Sequence, residues 1–585
     1  MGEMTMDRDR FLKMFKGRAI VVTQLPAGYG RELAARVNKA SGRRDVSLRT
    51  TAEQLALFEL LLADADAVVP AEELVLRDEC GQPTAAGGAI KDYVRAAQGK
   101  DEFFAVDMYM VHIAGLHVPI PRRIPGPPLV SAGNYLLELW RTDPEDHRHI
   151  PPPSGEGILL STSDFSLRNC GNRARRAPKP SWRVDLQAPG GGVDRLNGMA
   201  SVKLGAMYND PSQMREALAW RMFRQAGVPS PRYTYAKLAF DTTYRGLFLV
   251  IEHIDKRFLK DRFGKNDQGN LYKARCGDIG CATLEYRTGT GGDDTGSQYF
   301  VAGADRHTYR LMTNKNNTEK NSYDDLACLI KAINGIGLPG GPRRFDTDAY
   351  RESMDRIMNT RAFLRWASVN ILLGGWDTYF ATPSNYFLYN SGRAGAENDF
   401  VATPYFTFIP WDYDNCLGID YFRVRWQYAN ILDWPASTIS YWKNRRSSRI
   451  PLVQNLLSNR DYVQYYADHM EYVLDTMFSP SKIATQIGEE FGGGLWDRIR
   501  HAAYLESETP EGRPFTGRKF TNHEVYRNGC LQDEVRHGKA KIEGILHYVR
   551  MRRDSARAQL RQLRPTIPRS ADSVAFPATM EPLPR

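Results

Sequence analysis

The spacing of apolar and polar positions changes character along the chain. Residues 1 to about 150 mix helix-like stretches, such as 52–62, with strand-like ones, such as 103–110, and carry no chemical motif. Proline-rich connectors at 119–129 and at Pro151-Pro-Pro-Ser154 put a boundary between them or near the second. From Ile158 the pattern becomes strand, turn, strand: 158–168, a loop at 169–176, 181–186, the run Pro189-Gly-Gly-Gly192, then Ala200-Ser-Val-Lys-Leu204. Asn209-Asp-Pro-Ser212 supplies turn and N-cap residues ahead of a helix at 214–226, where Met214, Leu218, Met222 and Ala226 recur at helical spacing until Gly227 and Pro229 end it. A hairpin follows, 233–240 and 247–251 around Asp241, leading into Glu252-His-Ile-Asp255.

Beyond Asp255 the chain reads as mainly helical, with helices at 323–333, 346–358 and 361–373 and one or two more within 451–478. A last helix at 539–563 sets Ile542, Ile545, Leu546 and Val549 on one side and many arginines on the other. Two apolar strands interrupt the helices: Asn385-Tyr-Phe-Leu-Tyr-Asn390, a turn region with Gly392 and Gly395, and Tyr405-Phe-Thr-Phe-Ile-Pro-Trp-Asp412-Tyr-Asp414. The tail at 566–585 is proline-rich with little to bury, and is expected to be disordered.

At 585 residues the chain exceeds what one hydrophobic core supports, so at least two globular units are expected. Hydrophobic residues at 42% and charged ones at 25% give the composition of a folded globular protein. The net charge of +10 favours anionic partners without choosing among them, and nucleic acid is not the expected one. The densest basic cluster is Arg168, Arg173, Arg175, Arg176, Lys179 and Arg183, readable as a solvated face or as a phosphate contact.

Seven cysteines without a Cys-x-x-Cys pair imply a reduced interior without zinc, although Cys276 and Cys281 would close a small loop if the chain were exported. The N-terminus lacks the basic start and apolar core of a secretory signal, and no stretch is long enough and uncharged enough for a membrane span. The expected location is therefore cytoplasmic or a coat or cell surface. The glycine-rich stretch 288–297 lacks the Gly-Lys-Ser/Thr ending of a P-loop, and reads as an insertion.

The chemistry concentrates around residues 377–414. Phosphoryl transfer requires a base for the attacking hydroxyl, cations on the phosphates and metal ligands, because the work is positioning and charge stabilisation. Asp377 follows an apolar helix and the break Gly374-Gly375, so its carboxylate emerges at a helix end as a candidate base. Asn385 and Asp412 sit at the two ends of the strand pair as candidate metal ligands, with Asp414 a further one. Lys203 in Ser-Val-Lys-Leu is the candidate phosphate cation and Glu216 on the next helix its ion-pair partner, with Lys179 and Arg215 as alternative cations. Glu252 to Asp255, the linker after the hairpin, is the candidate adenine contact. Taken singly, each of these residues has an ordinary structural role as a cap or turn former.

Their order is lysine, glutamate, linker, aspartate, asparagine, strand pair, aspartate, which is the order in a protein kinase. One departure is the interval from Asp377 to Asn385, eight positions where the familiar loop has about five. The segments Lys203-Leu-Gly-Ala-Met-Tyr-Asn-Asp-Pro-Ser-Gln-Met-Arg215, Gly246-Leu-Phe-Leu-Val-Ile-Glu-His-Ile-Asp255, Gly374-Gly-Trp-Asp-Thr-Tyr379, Asn385-Tyr and Trp411-Asp-Tyr-Asp414 together resemble the spore-coat CotH kinase family across roughly residues 158–560.

That resemblance implies an α+β, atypical protein-kinase-like fold of two lobes: a β-rich small lobe at 151–255 and a mostly helical large lobe at 256–565, preceded by an extra α/β region at 1–150. It also implies ATP and Mg2+ or another divalent metal as cofactors, and phosphate transfer to serine or threonine of partner proteins of a spore coat or surface. Asp377 would be the base, and Asn385 and Asp412 the metal ligands. The segment around Gly171 would take the place of a glycine-rich phosphate loop. Two rival readings keep parts of this picture: an AMP-transferring enzyme on the same fold, and a catalytically inactive coat or surface scaffold.

Overall fold

The computed structural model describes residues 103–116, 128–131, 133–153, 157–171, 177–186, 199–264, 267–277, 280–286, 308–339, 344–392, 399–433, 450–488, 494–507, 517–538 and 540–567, together with three short strands nearer the N-terminus. The chain forms two compact units. One comprises residues 1–106, 194–200 and 254–267, and the other comprises 107–193, 201–253 and 268–585.

In the first unit, strands β1 (Ile20–Leu25), β2 (Ser47–Thr50) and β3 (Ala67–Pro70) form a parallel sheet in the order β2-β1-β3.

The second unit is built on a nine-stranded sheet. Its strands are β4 (Met108–Ala114), β5 (Leu129–Val130), β6 (Leu136–Arg141), β7 (Leu160–Thr162), β8 (Ser166–Cys170), β9 (Ser181–Asp185), β10 (Ser201–Gly205), β11 (Tyr233–Phe240) and β12 (Thr243–Glu252). They lie in the order β5-β8-β9-β10-β12-β11-β4-β6-β7, antiparallel except where β4 runs alongside β11. Strands from before Pro151 therefore share a sheet with those after it, and the proline connector lies within the span of that sheet. The single strand expected over 158–168 is two, β7 and β8: Ser163 to Phe165 separate them, because β7 pairs with β6 while β8 pairs with β9.

Helix α1 (Arg215–Gln225) buries Leu218, Trp220, Met222 and Phe223. In the first unit, α2 (Lys256–Phe263) is capped by Asp255, whose carboxylate accepts from the Arg257 and Phe258 amides.

A second sheet holds the chemistry. Strands β13 (Asn270–Ala274), β14 (Cys276–Gly277), β15 (Gly280–Cys281), β16 (Tyr309–Leu311), β17 (Tyr386–Asn390) and β18 (Phe406–Pro410) include a four-stranded antiparallel set in the order β16-β13-β17-β18. Every residue of β17 and β18 is buried, which is why both read as continuous apolar runs without alternation. Pro410 is tolerated because β18 is the edge strand. The β14–β15 pair sets Cys276 opposite Cys281, and the two form a disulfide, correcting the expectation of a wholly reduced interior.

Helices α3 (Asp324–Ile333), α4 (Asp348–Ile357) and α5 (Thr360–Leu373) follow the predicted positions closely. Helix α5 is buried on all sides except at Arg361, as expected of a helix apolar all round. The predicted 451–478 segment divides into α6 (Pro451–Leu456) and α7 (Arg460–Thr476), with Asn459 capping the second. Further on are α8 (Pro480–Ile487), α9 (Leu495–Tyr504) and α10 (Asn522–Gly529), the last closed by a capping box between Thr521 and Glu524.

The predicted helix at 539–563 begins late. Residues Ala540–Ile542 instead form a strand that pairs with Val535–His537 and Ile419–Asp420, and helix α11 starts only at Ile545. Gly544 causes the break: its backbone is extended, and a Cβ there would overlap the Gln532 carbonyl, so the chain turns at that point. The stretches 52–62 and 288–297, Arg173, Arg175 and Arg176, and the tail beyond Ile567 lie outside the described residues. Among the described residues no helix is long and apolar enough to cross a membrane.

Candidate active site

Each candidate side chain is held by a local feature of its own segment. Helix α5 ends at Gly374 in a left-handed conformation, φ 65°, with the Gly374 amide returning to Asn370. A Cβ at Gly375 would strike Asn370 and Tyr413, so only glycine lets the chain cross there. Asp377 emerges just past this break. Its carboxylate accepts from the Thr382 hydroxyl, and its carbonyl accepts from Asn385 Nδ2 at 2.9 Å.

The β17–β18 hairpin brings Asn385 and Asp412 together at its open end. Tyr386 lies opposite Pro410, and the Trp411 amide donates to the Asn385 carbonyl at 3.1 Å. Both residues have left-handed backbones, φ 55° at Asn385 and φ 64° at Asp412, a conformation that costs free energy and is commonly kept at functional positions. Between Asp412 and Asp414, Tyr413 points inward. Its hydroxyl accepts from Trp366 Nε1 at 2.7 Å and donates to Asn370 Oδ1 at 2.9 Å, while its ring packs on Trp220 and Phe223 of α1. One buried tyrosine thus ties the helix carrying Glu216 to the helix preceding Asp377 and anchors both flanking aspartates.

Lys203 lies on β10, opposite Arg183 of β9 and Ile251 of β12. Its ammonium donates to Asp412 Oδ1 at 2.7 Å and sits 4.7 Å above the centre of the Trp411 ring. The expected partner, Glu216, is not at bonding distance and acts on Lys203 through its field. Burial alone would lower the Lys203 pKa, but Asp412 and Glu216 outweigh it and raise the value. Burial likewise opposes ionisation of Asp412, yet Lys203 holds its carboxyl below the ordinary range. Glu216 is pushed up to about 7, by burial first, with Lys203 drawing it down and Asp412 driving it up. Asp414 is raised well above the usual carboxylate range by burial and then by Asp412, Glu216 and Asp377. Lys203, Glu216, Asp377, Asn385, Asp412 and Asp414 therefore share one electrostatic neighbourhood.

The other candidates are engaged by partners of their own. Lys179 donates to Glu506 and to the Leu247 carbonyl, both at 2.6 Å, in a buried pair. Arg215 is wholly buried on Asp210, Asn528 and the carbonyls of Leu417 and Glu543. Glu252 is paired with Arg232 at 2.8 Å, and Asp255 caps α2.

Three further residues join the group. Lys273 on β13 stands over the rings of Phe387 and Trp411, and burial lowers its pKa to about 8. Cys170, at the end of β8, lies in the fields of Lys203, Asp412 and Lys273. His253 accepts from Arg183 at 2.5 Å and faces the Trp411 ring. A lysine in an apolar strand, as in Asn270-Leu-Tyr-Lys-Ala274, was the available signal for Lys273; nothing in the sequence distinguished Cys170.

Among the described residues, no three His, Cys, Asp or Glu side chains gather closely enough to hold a metal by themselves. The oxygens of Asp412 and Asp414 are nevertheless the hard donors that Mg2+ takes, and Mg2+ is commonly held by one or two carboxylates with substrate phosphates completing the shell. The Asn385 amide is fixed by its nitrogen, which leaves its oxygen for a ligand.

Lysine, acids and amide thus gather on an α+β scaffold, and the comparison with known families bears on their class. The family model described as CotH kinase protein matches residues 167–501, more than half of the chain, and the protein belongs to this family. It is similar to "Inner spore coat protein H" of Bacillus subtilis (strain 168), with 23% identity over 287 residues, covering 48% of this chain and 65% of that protein. The match thus spans just under two thirds of that relative's length.

Proposed function

We propose that this chain is an ATP- and divalent-metal-dependent protein kinase of the CotH type, on a two-lobe kinase-like arrangement, that transfers phosphate to serine or threonine of partner proteins. The relative's description as an inner spore coat protein makes coat proteins the natural partners. The observation that carries this reading is the Lys203–Asp412 bond of 2.7 Å at the open end of a hairpin whose other strand starts beside Asn385, itself bonded to Asp377.

In this reading Lys203, held over Trp411, contacts the α and β phosphates, and Asp412, Asp414 and the Asn385 oxygen hold the metal. A metal bound there would neutralise phosphate charge, which suits a pocket where burial and then the neighbouring acids raise the Asp414 carboxyl. Glu216 orients Lys203 through the field between them. Asp377, fixed by Thr382 and by the Asn385 link, takes the proton of the acceptor hydroxyl as its oxygen bonds to the γ-phosphorus and the bond to ADP breaks.

The test is incubation of the full chain with γ-labelled ATP, Mg2+ and a serine-containing acceptor protein, followed by mass analysis of the acceptor. Phosphate on the acceptor with wild type, lost in Asp377→Asn, supports the reading. AMP on the acceptor would replace it with adenylyl transfer, and no modification together with no Mg2+-dependent nucleotide binding would sink it.

A further inference from the structure

On the far side of Asp414 a lysine stands without a carboxylate. Lys519 Nζ donates to Tyr421 OH at 3.1 Å and to Asn209 Oδ1 at 3.3 Å, both neutral oxygens. The rings of Tyr421, Tyr208 and Phe520 surround it at 5.3, 5.6 and 5.6 Å. No described acid forms an ion pair with it, and half-burial lowers its pKa with no opposing carboxylate. Aromatic faces hold a cation by their quadrupoles, yet the desolvation of a half-buried ammonium is offset best by an anion. The neighbouring Arg518 bonds to the carbonyls of Phe520 and Ala503 and to Asn522, fixing the backbone that carries Lys519.

This cation is wired to the candidate active site. Asn209 reaches Asn415 Oδ1 at 3.5 Å, and Asn415 donates to Asp414 Oδ1 at 2.7 Å. Tyr421 lies in the field of Asp414. Its ring also meets Trp376, the residue before Asp377, at 6.0 Å. The loop carrying Tyr421 is rigid: the Asp420 carboxylate accepts from the amides of Phe422, Val424 and Arg425. Two strained residues in this loop, Arg423 at φ 59° and Arg425 at φ 63°, are exposed, and neither pairs with an acid among the described residues. Elsewhere arginines and lysines of this unit are repeatedly matched to carboxylates, as in Lys179–Glu506, Arg232–Glu252 and Arg564–Asp468.

We propose that Lys519, framed by Tyr208, Tyr421 and Phe520, with Arg423 and Arg425 exposed on the loop that carries Tyr421, is an acceptor subsite for an anionic side chain next to the phosphorylated hydroxyl of the substrate polypeptide. The chemistry is that of a carboxylate or a phosphate ester, so the ligand is either an acidic residue or a residue already phosphorylated. This deepens the kinase reading and rests on it for the placement of the hydroxyl at Asp377.

Three serine peptides that differ only in the flanking residue, glutamate, phosphoserine or glutamine, are assayed with full-length protein, ATP and Mg2+. A charge-assisted contact predicts a kcat/KM roughly 10-fold or more higher for the anionic peptides than for the glutamine peptide, carried in KM. Lys519→Met should bring that ratio to about one, and Lys519→Arg should retain most of it. The glutamate and phosphoserine arms separate the two sources.

Anisotropy of the labelled anionic peptides, measured without ATP, reads the subsite independently of turnover. Binding by wild type that Lys519→Met abolishes, with no phosphate transferred, would keep the subsite and defeat the kinase reading. Transfer with equal KM for all three peptides, or a preference that Lys519→Met leaves intact, would overturn the subsite and spare the kinase reading. Should Lys519→Met fail to fold, Lys519→Gln, which also removes the charge, provides the same comparison.

Discussion

Two sets of buried charges in this protein use the same residue types to opposite ends. In one set, Lys179 meets Glu506, Arg215 meets Asp210 and Arg232 meets Glu252, one cation to one acid, with further bonds to backbone groups. In the other, Lys203 bonds Asp412 while Glu216, Asp414 and Asp377 crowd the same space. The paired set joins distant segments, since Lys179 and Glu506 are 327 positions apart. In the crowded set burial raises Glu216 and Asp414, and the neighbouring acids raise them further. Unmatched buried charge is costly to folding, so its retention points to use, whereas matched charge is explained by architecture alone.

The largest expected effect separates the sets by activity. If Asp377 is the base, Asp377→Asn slows phosphate transfer by about 10²–10⁴-fold, the usual worth of general base catalysis, and leaves the melting temperature unchanged. Loss of folding in step with loss of activity would move Asp377 into the structural set. The complementary substitution is Lys179→Met, which takes the bonded cation from buried Glu506 while the Leu247 amide still donates to it, and should cost about 3–5 kcal/mol in urea unfolding. Nucleotide affinity of the folded variant should persist. If that affinity falls while stability holds, Lys179 belongs with the phosphate cations after all.

Sequence reasoning could see the elements of the site but not this division. The β17–β18 hairpin and helix α5 with its glycine stop were legible because each is strongly patterned; Asp377, Asn385 and Asp412 stood out as candidates at the ends of those elements, and Lys203 as a candidate within the short strand β10. Lys179, Arg215, Glu252 and Asp255 occupy equally suitable positions in the sequence. Lys179 and Arg215 are engaged by partners too distant along the chain for periodicity to register, Glu506 for the first and Asn528 and Glu543 for the second, whereas Asp255 is taken by the amides of the helix it caps. Lys273 and Cys170 escaped for the converse reason, since only strand pairing carries them to Lys203. Gly544 shows the same limit in the backbone, because its break in the last helix follows from the nearby Gln532 carbonyl and not from local propensity.

Asp414→Asn should sharpen the contrast at a smaller scale. The amide keeps an acceptor for Asn415 and removes a carboxyl whose ionisation is opposed by burial and then by Asp412, Glu216 and Asp377, so stability should rise by about 1 kcal/mol while Mg2+-dependent nucleotide binding weakens. A fall in stability, with binding intact, would place Asp414 among the architectural acids.

The pH dependence of Glu216 gives the finest test. Its carboxyl is raised from 4.5 to about 7 by burial and by Asp412. Below pH 4.5 it is neutral in folded and unfolded chains alike. Between 4.5 and 7 the unfolded chain releases the proton and the folded chain keeps it, so the folded state binds more protons and stability falls as pH rises. Above 7 the penalty is complete. Glu216→Gln cannot titrate, so relative to wild type it should gain on the order of 1–3 kcal/mol between pH 4.5 and 7.5, read as diverging urea midpoints. Saturating Mg2+ and nucleotide should shrink that divergence if the cleft is where they bind, because added cations favour the ionised carboxylate. Parallel curves with and without ligand would leave Glu216 a buried acid with no connection to the proposed chemistry.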